Sequence, residues 1–232
     1  MRSVGHSSAV LIVGMGGLGC PAAWTLAERG VSLGLCDPDK VELSNLHRQI
    51  LHRTSDIGRL KVDSARDALD RRFPGVIIEN HAQPFGPDIL SGYSAVIDAT
   101  DSIDTKFALS DLCVARGVPL VHGAASGFHG QLMSVMPGQA CYRCLFESPP
   151  EQVITCDDGG VLGPFAGLVG VLQAEEAIRI LEGQPTLAGK LLVLDGRTGA
   201  RRTITFHQRT DCTAHFQKGA FDGNRSHSNS AA

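Results

Sequence analysis

Four things are missing from this 232-residue chain, and each absence narrows what it can be. There is no long run of lysine and arginine, and the formal net charge is −3, so a nucleic-acid partner held by phosphate electrostatics is not expected. No apolar run is long enough to cross a bilayer, because residues 160–174 are short and broken by glycines and Pro164; a buried helix and no membrane partner are expected. The opening MRSVGHSSAV holds no separate apolar segment that would serve as an export signal. With its seven cysteines read as metal-binding or reactive thiols rather than a disulfide framework, a cytoplasmic location is expected. Finally, no linker or internal repeat divides the chain, so one domain over 1–216 is expected, followed by a Gly-, Ser- and Asn-rich disordered tail over 217–232.

What is present begins at Ala9. Residues 9–13 read as a buried parallel strand that runs into Gly14, Gly16, Gly17 and Gly19, a G-x-G-x-x-G spacing placed where a helical pattern starts. A tight turn, close approach of backbone to an anion, and the unpaired N–H groups of a helix N-terminus together make a phosphate cradle. A second apolar strand, 31–36, delivers Asp37 to where a carboxylate would reach a ribose hydroxyl. Lys61 opens a helical pattern that ends near Pro74, residues 76–78 read as a strand, and an apolar strand over 93–99 ends in Thr100-Asp101-Ser102. A helix over 105–116 and a strand over 119–122 follow. The alternation predicts an α/β fold, a doubly wound and mostly parallel sheet with a Rossmann-like nucleotide-binding half, and Gly14, Asp37 and Asp101 on one ligand edge. Beyond Gly123 the pattern changes to an extended segment over 131–136, a helix over 164–181 stopped at Gly183, and strands over 190–195 and 203–206.

The next stretch is more specific than the glycines. Asp37-Pro-Asp39 leads to Ser44-Asn45-Leu46-His47-Arg48-Gln49, and from about Ala9 to His215 the chain resembles the MoeB/ThiF family of the ubiquitin-activating-enzyme superfamily. The resemblance implies an ATP- and Mg²⁺-dependent adenylyltransferase. Its partner would be a small ubiquitin-like sulfur-carrier protein, whose C-terminal glycine carboxylate becomes an acyl adenylate for thiocarboxylate formation, and the enzyme would be a homodimer. It also implies that Arg48 and Lys61 hold phosphates, that Asn45 and Gln49 act as amide donors, and that Asp101 holds Mg²⁺. Asp39, Ser44, Leu46, His47 and Ser102 would complete the nucleotide site. In this family an Asp-Asn pair is usual where this chain has Asp101-Ser102, and an arginine where it has Lys106; the lysine keeps the charge but loses the planar fork.

Two pairs of sulfur and nitrogen ligands stand far apart in sequence. Cys141-x-x-Cys144 and Cys212-x-x-His215 add up to Cys₃His, an accepted tetrahedral Zn²⁺ set, although the family usually has a fourth cysteine in place of His215. A metal-free pair of motifs is the alternative. Cys156 sits where some family members carry a thiol that joins covalently to the activated carrier, and Asp157 and Asp158 beside it oppose thiolate formation, so nucleophile and bystander both stay open. Other readings also stay open: a weak or inactive binding subunit, adenylation of a non-protein carboxylate or a tRNA base, and a nicotinamide oxidoreductase. Only eight residues precede Ala9 and they carry one cation, Arg2, whereas the family places an arginine-bearing helix there that reaches the dimer partner's phosphates. Slow adenylation is therefore expected unless another chain or an upstream segment supplies that arginine.

Overall fold

In the computed structural model, residues 8–149 and 160–216 are described. Eight strands form one sheet in the order β3-β2-β1-β4-β5-β6-β7-β8. Strands β1 (Ala9–Val13), β2 (Ser32–Cys36), β3 (Ile78–His81), β4 (Ala95–Asp98) and β5 (Leu120–Ser126) run parallel. The remaining three, β6 (His129–Val135), β7 (Lys190–Asp195) and β8 (Arg201–Thr205), extend the sheet in antiparallel fashion. The expected α/β, doubly wound, parallel-dominated sheet is what the chain forms.

The strands alternate because both faces are covered. In β1, Val10 and Ile12 enter a core shared with Ala22, Leu26, Val62, Ala65 and Ala177. Leu11 and Val13 enter a second core with Val96, Leu109, Cys113 and Met133. Helices α1 (Gly19–Glu28), α2 (Lys61–Arg72) and α5 (Gly163–Leu181) therefore cover one face, and α3 (Ile103–Arg116) covers the other. Each fully buried leucine or isoleucine in these layers contributes roughly 1.5–3 kcal/mol, which makes them the main support of the sheet. Two short helices, α4 (Tyr142–Phe146) and α6 (Thr213–Phe216), join the second face, where Cys141, Cys144 and Cys212 are buried.

Expectation and structure part at β3. The apolar 76–78 segment was the expected strand, but the ladder pairs Leu33 with Ile78 and Cys36 with His81, so the strand is the polar run Ile78–His81 and Ile77 stays 69% exposed. An edge strand is held by backbone hydrogen bonds to its single neighbour and needs no apolar run. Among the described residues no helix is long and apolar enough to cross a membrane. The expected tail over 217–232, Arg2 and Cys156 lie outside the described residues.

Candidate functional site

The strand order reverses between β1 and β4, and the crevice beyond their C-terminal ends is where open α/β sheets bind ligands. A cleft of about 1100 Å³ opens there. Its walls include Gly14, Gly16, Gly17, Asp37, Asp39, Ser44, Asn45, His47, Arg48, Gln49, Lys61, Asp101 and Ser102, so thirteen of the sequence-derived site residues share one space. Gly19 and Leu46 are not among them. Gly19 instead opens α1, where a Cβ would fall 1.8 Å from the Gly14 carbonyl oxygen; it shapes the turn and does not line it. Gly14 has φ +95°, and a Cβ there would meet the Ala99 carbonyl at 2.8 Å, so the loops after β1 and β4 touch through their backbones.

The cations of the cleft are already partnered. Lys61 Nζ donates to Asp39 Oδ2 at 2.8 Å and lies 3.7 Å from Asp37 Oδ2. Arg48 donates to Asn45 Oδ1 at 2.8 Å and lies 3.0 Å from His47 Nε2. Asp37 is buried and accepts the Met15 N–H at 2.7 Å and the Asp39 N–H at 2.8 Å, so it pins the glycine turn to the end of β2 as well as facing the cleft. Gln49 is buried, and its Oε1 has no partner among the described residues. An unpaired buried acceptor costs roughly 1–3 kcal/mol, which a donor group on a ligand would recover.

Sequence reasoning missed the group beneath Asp101. Asp98, fully buried at the end of β4, accepts from Thr100 N–H and Oγ1 at 3.0 and 2.7 Å, from Lys106 Nζ at 3.0 Å and from His122 Nδ1 at 2.7 Å. Burial alone would raise its pKa, but the Lys106 charge and the hydrogen bonds from His122 and Thr100 outweigh burial and hold it well below the ordinary carboxylate range. Lys106, expected to keep the charge of the family's arginine, is buried against Asp98 and also donates to the Gly123 carbonyl at 2.8 Å. The signal was an Asp at strand end and a Lys eight residues on, one turn inside a helix that has Ser102 as its N-cap.

The second cluster is the Cys/His knuckle. Cys141 Sγ lies 3.7 Å from Cys144 Sγ and 3.6 Å from Cys212 Sγ, and Cys144 Sγ lies 3.5 Å from His215 Nε2. All four donor atoms fall within 4.8 Å of one another. A tetrahedron with Zn–S bonds of about 2.3 Å has edges of about 3.8 Å, so the donor set fits a closed zinc site and His215 belongs to it. From the same short helix, Tyr142 packs on the His122 ring at 4.4 Å and on Phe146 at 4.7 Å, and both Tyr142 and Phe146 line the cleft. Arg143 grips Asp111 on α3 through two nitrogens. The knuckle thus carries one wall of the cleft. Cys20 and Cys113 are buried and their thiols pushed up to about 12 by that burial, so they are packing residues.

Fold and cleft define a class: an α/β protein with a glycine turn at the switch point of its sheet and a Cys/His cluster packed against α3. The chain belongs to the ThiF family, whose sequence profile matches residues 4–214. It is 47% identical over 216 residues to the "Adenylyltransferase and sulfurtransferase MOCS3" of Drosophila sechellia, covering 89% of this chain and 48% of that protein. The namesake of Culex quinquefasciatus is 44% identical, with 89% and 50% covered. The chain thus spans about half the length of these curated relatives. Among solved structures, Escherichia coli MccB with ATP superposes with a TM-score of 0.80 at 18% identity, covering 90% of this chain and 67% of that one. SeMet PaaA superposes with a TM-score of 0.68 at 22% identity, covering 87% and 65%. These likenesses concern the fold.

Proposed function

We propose that this chain is an ATP- and Mg²⁺-dependent adenylyltransferase domain, spanning residues 1–216, that activates the C-terminal glycine carboxylate of a small ubiquitin-like sulfur-carrier protein. The observation that carries this reading is the meeting of Arg48, Lys61 and the glycine turn with Asp101 across one cleft. Membership of the ThiF family and the printed names of the relatives support it. In the reaction, an oxygen of the carrier carboxylate attacks the α-phosphorus of ATP, the bond from that phosphorus to the bridging oxygen breaks, and pyrophosphate leaves. Arg48 and Lys61 would hold the phosphates and offset the charge that develops on the leaving group, while the turn N–H groups add fixed dipoles. Asp39 and Asp37 release part of Lys61 as phosphate oxygens take over its hydrogen bonds. Asp37 would meet the ribose hydroxyls, and Gln49 would supply amide hydrogen bonds. Asp101 would hold Mg²⁺, which supplies further charge compensation when bound.

Cys141, Cys144, Cys212 and His215 would hold one structural Zn²⁺, with no open position for chemistry. A homodimer is proposed as well; on α5, Leu168 and Val171 remain 42% and 37% exposed on neighbouring turns, apolar surface that a second copy would cover. No nucleic-acid partner is proposed, given the net charge of −3. The test is ATP–pyrophosphate exchange with the purified chain and a carrier ending in Gly-Gly. Exchange that depends on the carrier and on Mg²⁺ is the expected result, and none with any such carrier would overturn it. A second reading, a weakly active binding subunit, is favoured by the burial of Lys106 against Asp98; carrier binding without exchange would select it.

A further inference from the structure

Every polar atom of Asp98 outside its own N–H is gripped. Its two carboxylate oxygens take four hydrogen bonds, and its carbonyl oxygen accepts from Gln173 Nε2 at 2.6 Å. A carboxylate only accepts, so His122 must carry its hydrogen on Nδ1. Three elements therefore converge on one residue: β5 through His122 and α3 through Lys106 on its carboxylate, and α5 through Gln173 on its carbonyl. The residues on the far side of Asp98 are the turn that carries Asp101. Thr100 is tied to Asp98 twice, Ser102 caps α3 by accepting the Thr105 N–H at 3.2 Å, and the Ala99 carbonyl abuts Gly14.

We propose that Lys106 is a positioning residue of the cleft: by neutralising and gripping Asp98 it holds the Thr100–Ser102 turn, and Asp101 with it, in register with the glycine turn, and it does not itself touch phosphate. The assignment deepens the adenylation reading and rests on it for the role of Asp101. Its logic is charge balance. With Lys106 gone, a fully buried carboxylate keeps its charge and loses its cation, so it must draw in water or a proton and the Thr100 turn loosens. With both charges gone, an amide at position 98 can still accept from Thr100 and the turn is kept.

The experiment uses the ¹⁵N-labelled full chain with Zn²⁺ bound, as wild type, Lys106→Met, Lys106→Gln and the double variant Asp98→Asn/Lys106→Met. Two quantities are read: hydrogen exchange of the Thr100 amide, and the Mg²⁺ dependence of ATP binding by calorimetry. In Lys106→Met the Thr100 amide is expected to exchange about tenfold faster, with core amides of β1 unchanged, and half-saturating Mg²⁺ is expected to rise about tenfold. The double variant is expected to recover both to within about threefold of wild type. Lys106→Gln, which keeps a donor toward Asp98 and Gly123, carries the test should the methionine variant not fold. Unchanged Thr100 exchange in the folded single variants overturns the proposal. So does a double variant whose exchange recovers while its nucleotide binding stays as weak as in Lys106→Met, because that result makes Lys106 a direct phosphate ligand. Should wild type bind no ATP at all, the adenylation reading fails, and Thr100 exchange decides the positioning role on its own.

Discussion

The cleft and the knuckle are both clusters of charge-bearing side chains, and they are organised in opposite ways. In the cleft each cation is satisfied from within the protein: Lys61 by Asp39, Arg48 by Asn45, Lys106 by Asp98. A phosphate reaching Lys61 and Arg48 must compete with hydrogen bonds of 2.8 Å, which favours a multiply charged ligand over a single weak anion. In the knuckle three sulfurs and the His215 imidazole face one another, and as thiolates the three sulfurs would repel. In the first arrangement the lysine charges are paired to aspartates and Arg48 is held by Asn45 and His47. The second has the donor set of a metal site, and an ion bound there would add its binding energy to the stability of the fold.

That contrast is broken most severely at the knuckle. Cys212→Ser, or stripping with a strong zinc chelator, is expected to release one zinc per chain, measured by elemental analysis. It should lower the thermal midpoint by about 10 °C or more, since a structural site contributes several kcal/mol and each is worth about 2–4 °C in a domain of this size. Retention of wild-type stability in a metal-free chain would show that the four donors are an ordinary buried cluster. The same stripping is expected to weaken ATP binding, because Tyr142 and Phe146 stand on the short helix that the knuckle holds.

In the cleft the expected losses are of activity. Arg48→Ala should reduce pyrophosphate exchange by roughly 10²–10³-fold with a thermal midpoint within about 2 °C of wild type, because Arg48 is partnered only by neutral groups. Lys61→Ala should match that loss of exchange and also cost about 1–3 kcal/mol of stability in denaturant melts, since buried Asp37 loses its nearest cation. Equal stability of the two variants would show that Lys61 is no more built into the fold than Arg48.

The contrast between these losses bears on what could be read from the residues alone. The glycine turn, Asp37 and the SNLHRQ stretch announced the cleft because the requirements of anion binding are local: a turn, a helix start, cations at fixed offsets. The knuckle pairs were legible as two short motifs, and only folding shows that residues 71 positions apart reach one another. The Asp98 network was illegible for the same reason in stronger form. Its members, Asp98, Lys106, His122 and Gln173, come from four elements, and only Lys106 stood in a family pattern, which gave no sign of its partners. β3 was misplaced because apolarity is a guide to strands buried on both faces, and Ile78–His81 is an edge.

The smallest expected effect is on pH dependence. Burial disfavours the cations of His52 and His122 and lowers both pKa values. The unfolded chain then takes up protons first as pH falls past about 6.5, so this contribution to stability is complete above that value and declines below it. A thermal midpoint that falls by a few degrees between pH 7 and pH 5.5 is expected, with the slope flattened in His52→Gln/His122→Gln. Asp98 adds a further loss as pH falls past its ordinary value near 3.8, where the unfolded chain takes up a proton that the folded carboxylate, held well below that range, does not.

The spacing of the knuckle also sets a timetable. Cys212 and His215 leave the ribosome 71 residues after Cys141 and Cys144, roughly 4–14 s later at ordinary rates of synthesis. By then the segments of β1–β5 and α1–α3 have all been synthesised, and the first ligand pair precedes its partners. Closing a loop of that length carries an entropic cost, so an ion held by the four ligands would act as a long-range cross-link. It would fasten α6, which follows the antiparallel strands, to α4 and so to one wall of the cleft.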